Sequence, residues 1–121
     1  MPRRLLFFLS FGFVLAAVGG ANAGRAKTPM LTGEVGPGFT IEVVNAADKD
    51  VKTLKAGTYT IKVEDKASIH NFHLIGPGVN KMITTVGFVG TKTVVVALKK
   101  GTYRFICDPH ATIMKGSFKV S

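Results

Sequence analysis

The chain of 121 residues contains a single cysteine, Cys107, and therefore cannot form a disulfide within itself. Acidic residues are also scarce: there are 7 against 16 basic ones, which gives a formal net charge of +9. A basic chain raises the question of nucleic-acid binding, but the lysines are scattered and no basic helix or aromatic stacking motif accompanies them. We therefore expect no nucleic-acid partner. The electrostatic field of the net positive charge is expected to favour acidic protein partners.

The N-terminal region lacks an apolar run long enough to span a membrane. Residues 5–18 carry no charge, but they fall short of the roughly 20 residues that a bilayer requires. Two arginines precede this run, and the small-residue stretch 21–23 follows it. The combination is typical of a secretory signal peptide. We predict that residues 1–23 are cleaved off, that no stable membrane anchor remains, and that the protein is exported to a periplasm or to the outer cell surface.

The remaining residues, 24–121, suffice for one small domain. They show no convincing helical periodicity and no low-complexity tract. Apolar and polar residues instead alternate with period two in four short segments, and Gly- and Pro-containing turns separate them. The alternating segments are residues 39–44, 59–64, 103–107 and 117–120. Short strands at this spacing predict an all-β fold, a Greek-key β-sandwich of about seven or eight strands.

Three details of this sandwich can be predicted from the same pattern. Phe39 should begin its strand and share one face with Ile41 and Val43, opposite Thr40 and Glu42. The segment 93–98 (TVVVAL) reads as a strand that is buried on more of its surface than the others. Tyr59 and Tyr103 each follow a Lys-x-Gly-Thr turn, and each hydroxyl is expected to return to a nearby backbone group, as in a tyrosine corner.

Cys107 allows three interpretations. A buried free thiol needs no partner, a nucleophile needs a base and an orienting group, and a metal ligand needs other donors close by. Asp108-Pro109 ends the strand, because proline cannot extend a sheet ladder, and His110 and Met114 follow on the turn. The loop therefore offers a thiolate, an imidazole and a thioether within eight residues.

A fourth donor should come from another strand, where His70 and His73 are the remaining histidines. Alternation separates these two, since His70 shares a face with Phe72 and Leu74 while His73 lies on the opposite face. If the Phe72 face is the core, His70 points inward at the end of the sheet. We therefore expect His73 to be an outward-facing or hydrogen-bonded residue and not a ligand.

Taken together, the His70-Asn71 step and the downstream pattern Gly-Thr-Tyr-x-Phe-x-Cys-x-Pro-His-x3-Met-x-Gly at 101–116 resemble the blue copper proteins, or cupredoxins. The chain is most similar to the plastocyanin, pseudoazurin and amicyanin group, over about residues 32–121. The resemblance implies one copper ion per chain, held by the four residues His70, Cys107, His110 and Met114, with Met114 as the weak axial ligand. It also implies that Asn71 tethers the two ligand loops. The three-residue gap between His110 and Met114 is shorter than in plastocyanin and longer than in amicyanin, which makes Met114 the least secure of the four.

The resemblance further implies a monomeric electron carrier and not an enzyme. Its partners would be redox proteins such as a c-type cytochrome or a copper or quinone oxidoreductase. A copper-delivery or copper-resistance protein of the same fold is the alternative, and a metal-free interaction domain is a third. Zinc fits less well because a structural zinc site seldom uses methionine. A cysteine hydrolase fits less well too, because residues 24–121 are expected to lack helices that could supply an oxyanion hole. Electrons would enter at the exposed edge of His110, where an apolar surface is expected from Pro37, Pro77, Ala111 and Ile113.

Overall fold

A computed structural model describes residues 28–121 of the protein. Nine β-strands form most of its regular structure: β1 Met30–Val35, β2 Ile41–Val44, β3 Thr53–Leu54, β4 Gly57–Asp65, β5 Phe72–Gly76, β6 Val79–Thr84, β7 Gly90–Leu98, β8 Gly101–Ile106 and β9 Lys115–Val120. A short 3₁₀ helix, Asp108–His110, lies between β8 and β9. No helix in this part of the chain is long and apolar enough to cross a membrane. The predicted signal peptide, residues 1–23, lies outside the described residues.

The strands form two sheets that pack around one apolar core. The four-stranded sheet has the order β2-β1-β4-β7, and the five-stranded sheet has the order β3-β9-β8-β5-β6. Most neighbours are antiparallel, while β1 with β4 and β3 with β9 are parallel. The chain passes repeatedly from one sheet to the other, so the predicted all-β Greek-key sandwich is confirmed. The strand count is nine because a two-residue strand, β3, pairs with the end of β9.

Alternation predicted the inward faces of β4, β8 and β9 correctly. On β4, Tyr59, Ile61 and Val63 are buried, while the residues between them are partly exposed. Phe118 and Val120 of β9 are buried in the same way, with Lys119 exposed between them. Because one face of each sheet packs on the core, removing the apolar side chains of that face from water stabilises this register.

Both tyrosines have the predicted structural role. The Tyr59 hydroxyl donates to the backbone oxygen of Lys55 at 2.6 Å. The Tyr103 hydroxyl donates to the backbone oxygen of Pro77 at 2.8 Å and accepts a hydrogen bond from the Lys99 amide at 2.8 Å. Each hydroxyl therefore satisfies backbone groups that would otherwise be without partners at a strand entrance.

The prediction for residues 93–98 was wrong. Val95 is 66% exposed, and only Val96 and Leu98 of this segment are buried. The reason is that β7, the edge strand of the four-stranded sheet, buries only the side chains that face the other sheet. Its outer face has no second layer to cover it, and the apolar run in the sequence does not reveal this.

The prediction for Phe39 was also wrong. The strand begins at Ile41, and Phe39 lies in the preceding bend with 55% of its surface exposed. Gly36, with a φ of +78°, and the two residues after it turn the chain away from the sheet before β2 begins. Phe39 is therefore not part of the core; it lies at the end of the sandwich where β8 leads into Cys107.

Candidate metal centre

Three side chains from two segments converge at this end of the sandwich. The ligand atoms of His70, Cys107 and His110 lie within 4.8 Å of one another. The two histidine Nδ1 atoms are 3.2 Å apart, and Cys107 Sγ lies 3.7 Å from Nδ1 of His70 and 3.5 Å from Nδ1 of His110. These separations are short enough for one ion to contact all three donors at the usual metal–ligand lengths of about 2.0–2.3 Å. A thiolate with two imidazoles is a donor set that suits copper or zinc.

The loop after β8 brings Cys107 and His110 together. Pro109 stands in the first turn of the 3₁₀ helix, where a missing backbone N–H costs least. The His110 amide donates to the Cys107 carbonyl at 3.0 Å, and the Met114 amide donates to the His110 carbonyl at 2.8 Å. The Cys107 amide closes the loop by donating to the Met114 carbonyl at 3.1 Å. The backbone thus fixes the start of each donor side chain.

Met114 is fully buried and belongs to the apolar core. Its backbone carbonyl accepts from the Cys107 amide, so the backbones of the two residues lie side by side. A buried, unbranched thioether in this position has the chemistry of a weak axial donor to copper. Its assignment as the axial ligand stays a prediction.

His70 reaches the site from the connection between β4 and β5. It is fully buried, and its amide donates to the Ala67 carbonyl at 3.3 Å. Gly36 packs directly on the ring: a Cβ at this position would lie 2.9 Å from Cδ2 of His70. The positive φ of Gly36 and this close approach both require glycine.

Phe39 covers the two histidines from the solvent side. Its ring meets His110 edge-on with centroids 4.9 Å apart, and it meets His70 edge-on with centroids 5.5 Å apart. The contact restricts the orientation of both imidazoles and excludes water from one side of the site. Reasoning from the sequence missed this residue, although the preceding Gly-Pro-Gly was a signal that the strand had not yet begun.

Asn71 has the tethering role that the resemblance implied. Its side chain, 1% exposed, donates from Nδ2 to Asp108 Oδ2 at 2.7 Å, and its Oδ1 accepts from the Asp108 amide at 2.7 Å. Since Asn71 follows His70 and Asp108 follows Cys107, this pair of hydrogen bonds holds the two ligand segments together. Asp108 was expected only to help end the strand.

His73 is not among the converging donors, as the alternation predicted. Its Nδ1 lies 3.0 Å from both carboxylate oxygens of Asp108, and its Nε2 lies 2.6 Å from Oδ1 of Asn80. It thus extends the Asn71–Asp108 tether onto β6. Burial lowers the pKa of His73, but the hydrogen bonds to Asn80 and Asp108 outweigh it and hold the pKa above its ordinary value.

The pKa of Asp108 shifts in the opposite direction. Burial raises it, but hydrogen bonds from His73 and Asn71 more than compensate and hold the pKa of this carboxyl below its ordinary value. The carboxylate next to Cys107 is therefore kept in its charged form. It acts as the acceptor for both tethering side chains.

Exposed apolar residues surround the partly buried His110. Phe39 and Ile113 are 55% and 63% exposed, Pro37 follows the glycine that packs on His70, and Ala111 is half-buried. We call Pro37, Phe39, Ala111 and Ile113 the apolar end surface.

Placing Pro77 at this end was wrong, because it follows the far end of β5 and packs against Gly101, the first residue of β8. The five residues of β5 span about 16 Å. This strand therefore separates Pro77 from the ligands.

Comparisons with known proteins agree with this geometry. The family model described as copper binding proteins, plastocyanin/azurin family, matches residues 34–121. No curated protein matches the sequence significantly. Among solved structures, reduced rusticyanin is similar with 26% identity and a TM-score of 0.55, covering 80% of this chain and 81% of that one.

Two further structures extend the likeness. Rusticyanin from Thiobacillus ferrooxidans is 25% identical with a TM-score of 0.55, covering 80% of this chain and 79% of that one. An oxidized variant of amicyanin is 16% identical with a TM-score of 0.50, covering 82% of this chain and 88% of that one. The amicyanin likeness shows the fold alone.

Proposed function

Because this chain belongs to the plastocyanin/azurin family of copper-binding proteins, we propose that it carries single electrons between redox partner proteins. One copper ion would be held by His70, Cys107 and His110, with Met114 as the weak axial ligand. The proposal rests on one observation above all: the thiol and two imidazole nitrogens that a type 1 copper site needs converge within 4.8 Å. A resemblance in sequence alone would not require this convergence.

These donors suit a one-electron carrier. Bound copper supplies the change between Cu(I), which prefers soft donors, and Cu(II), which prefers nitrogen and oxygen. Two imidazoles, a thiolate and a thioether would suit both states moderately, so little would have to move. The Asn71–Asp108 bonds and the Phe39 ring restrain the donors in one arrangement, which reduces the reorganisation that each electron requires. Cys107 would hold the metal as a thiolate, because the charge of a bound metal ion would dominate locally.

An absorption spectrum tests the metal assignment. The wild type with Cu(II) should show intense thiolate-to-copper colour at one copper per chain, and Cys107→Ser should lose it while remaining folded. His73→Ala serves as the control, because it removes an imidazole that lies outside the donor group and should keep the colour. A colourless wild type or a coloured serine variant would contradict the assignment. Electron self-exchange then separates a carrier, which exchanges rapidly, from a copper-delivery protein, which does not need to.

We propose that electrons pass through His110 and the apolar end surface. An exposed apolar patch next to a redox centre suits brief docking, which requires little buried area. Ile113→Asp should slow electron exchange with a small redox protein several-fold without changing the copper spectrum. Val95→Asp is the matched control, because Val95 is 66% exposed against 63% for Ile113 but lies on the edge strand β7. Equal effects from the two variants would exclude this docking site.

The charge and the N-terminal sequence support the remaining proposals. Residues 24–121 carry 14 basic and 7 acidic side chains, so we expect acidic redox partners and an association rate that falls as salt rises. A c-type cytochrome and a copper or quinone oxidoreductase are suitable classes to test.

We further propose cleavage of residues 1–23, export to a periplasm or the cell surface, and a monomeric mature protein. The N-terminal sequence of the exported protein should then begin at Gly24.

A further inference from the structure

Two buried side-chain atoms in residues 28–121 lack a hydrogen-bond partner: Oδ2 of Asp65 and Nε2 of His70. Asp65 is 2% exposed and His70 is fully buried, so water does not readily replace the missing partners. An unsatisfied buried polar atom costs about 1–3 kcal/mol, and more when the group is charged. One of these atoms belongs to a proposed copper ligand, and the other is a carboxylate oxygen.

The two residues lie close in sequence, with Asp65 at the end of β4 and His70 in the connection that follows it. Asp65 is the last residue of β4 and is paired with Val35 and Gly90. The peptide groups of Ala67 contact both residues, since its amide donates to Asp65 Oδ1 at 3.4 Å and its carbonyl accepts from the His70 amide at 3.3 Å. The 3.4 Å contact is long for a hydrogen bond, so it restrains the carboxylate only weakly.

The roles of the two atoms are complementary. Nδ1 of His70 faces Cys107 and His110, so it must be unprotonated to bind a metal, and Nε2 then carries the proton and can only donate. A carboxylate oxygen can only accept. A metal-binding histidine in proteins nearly always donates its second ring N–H to a carboxylate or a carbonyl. The side chain of His70 has no such acceptor in the structure.

We propose that Asp65 is a positioning residue for His70: its Oδ2 accepts a hydrogen bond from His70 Nε2–H in the copper-bound protein. The two side chains are not hydrogen-bonded to each other in the structure, and this bond would give each of the two atoms its missing partner. The bond fixes the tautomer that exposes Nδ1 to the metal. The negative charge favours Cu(II) over Cu(I) and lowers the reduction potential. This inference rests on the proposed copper assignment of His70.

The reduction potential tests the charge. Asp65→Asn keeps the shape and an acceptor oxygen but removes the charge. A charge at about 4–6 Å changes a proton affinity by about 1–3 pKa units. Taking the lower end, the preference for Cu(I) over Cu(II) should rise roughly tenfold, equivalent to about 59 mV for one electron. Glu64→Gln is the matched control, because it removes a carboxylate one residue away on the outer, Lys62-paired face of β4. It should change this preference less than about twofold, since the Glu64 charge is partly exposed, paired with Lys62 and screened by solvent.

The tautomer of His70 tests the hydrogen bond without copper. Imidazole ¹⁵N shifts of the copper-free protein, recorded about two units above the ordinary histidine pKa of 6.5, should show a single Nε2–H form. Asp65→Ala should yield a mixture of tautomers, and Asp65→Asn should retain the Nε2–H form. If Asp65→Ala does not fold, the wild type and Asp65→Asn still test the proposal. A wild type whose His70 carries its proton on Nδ1 overturns it.

Equal potentials for Asp65→Asn and Glu64→Gln would also overturn the proposal. If Asp65 served folding alone, its substitution would lower stability without changing the reduction potential or the His70 tautomer. Failure of the proposed function would be seen separately, as a wild type that lacks the thiolate colour although its His70 tautomer is as expected.

Discussion

Asn71→Ala removes both hydrogen bonds between the two ligand segments. The bond from Nδ2 to the Asp108 carboxylate is worth about 1.5–3 kcal/mol, and the bond from the Asp108 amide is worth about 0.5–1.5 kcal/mol. Both are 2.7 Å long, and Asn71 is almost fully buried. We expect the free energy of unfolding to fall by about 2–4 kcal/mol. In a domain of this size that corresponds to a loss of roughly 10–25 °C in Tm.

The measurement is urea denaturation of the copper-free protein, so that metal binding does not contribute. Asn80→Ala is the matched control, since Asn80 is exposed and its side chain makes a single hydrogen bond, to His73. It should cost less than about 1 kcal/mol. If Asn71→Ala destabilises the protein no more than Asn80→Ala, the tether does not hold the ligand segments and the reasoning fails.

Three further predictions concern the same end of the protein. In chelator competition, His70→Ala should lower the copper affinity by more than the 10–100-fold that is typical of outer-sphere partners. His73→Ala should lower the copper affinity less than His70→Ala does, and equal losses would mean that the wrong histidine was chosen. Met114→Leu should raise the reduction potential and keep the thiolate colour, and loss of the colour would contradict an axial role. The pKa of His73 is raised in the folded state, so its contribution to stability is present below its ordinary pKa and is lost as pH rises through the folded pKa. Urea denaturation from about pH 5 to about pH 9 should show this loss in the wild type and not in His73→Gln.

The sequence predicted the features that depend on local periodicity. The inward faces of β4, β8 and β9 follow from a period of two, and the separation of His70 from His73 follows from the same rule. The tether at Asn71 was expected only through the family resemblance. The length of the loop between Cys107 and Met114 is local as well, which is why these donors could be proposed together.

The failures share a different cause. Whether Val95 is covered depends on which face of β7 meets the other sheet, and β7 takes its place by pairing with residues of β4 that are 25 to 41 positions away. Phe39 lies outside the core because the chain turns at Gly36 and the strand begins only after Phe39. The turn places the Phe39 ring over histidines from two other segments. Pro77 was misplaced because only the assembled sheet shows which end of β5 lies near the ligands. Contacts between distant segments decided each case.

The placement of Cys107 and His110 on one loop would also affect how copper acts on an unfolded chain. Cys107 and His110 are three residues apart, whereas His70 and Cys107 are separated by 37. Closing the longer loop costs about 2 kcal/mol more in chain entropy, and in the native state the sandwich provides that closure. We therefore expect unfolded chains to retain much of their copper affinity through the loop. Because a ligand stabilises a fold only by its preference for the native state, copper should raise the unfolding temperature by less than its total affinity suggests.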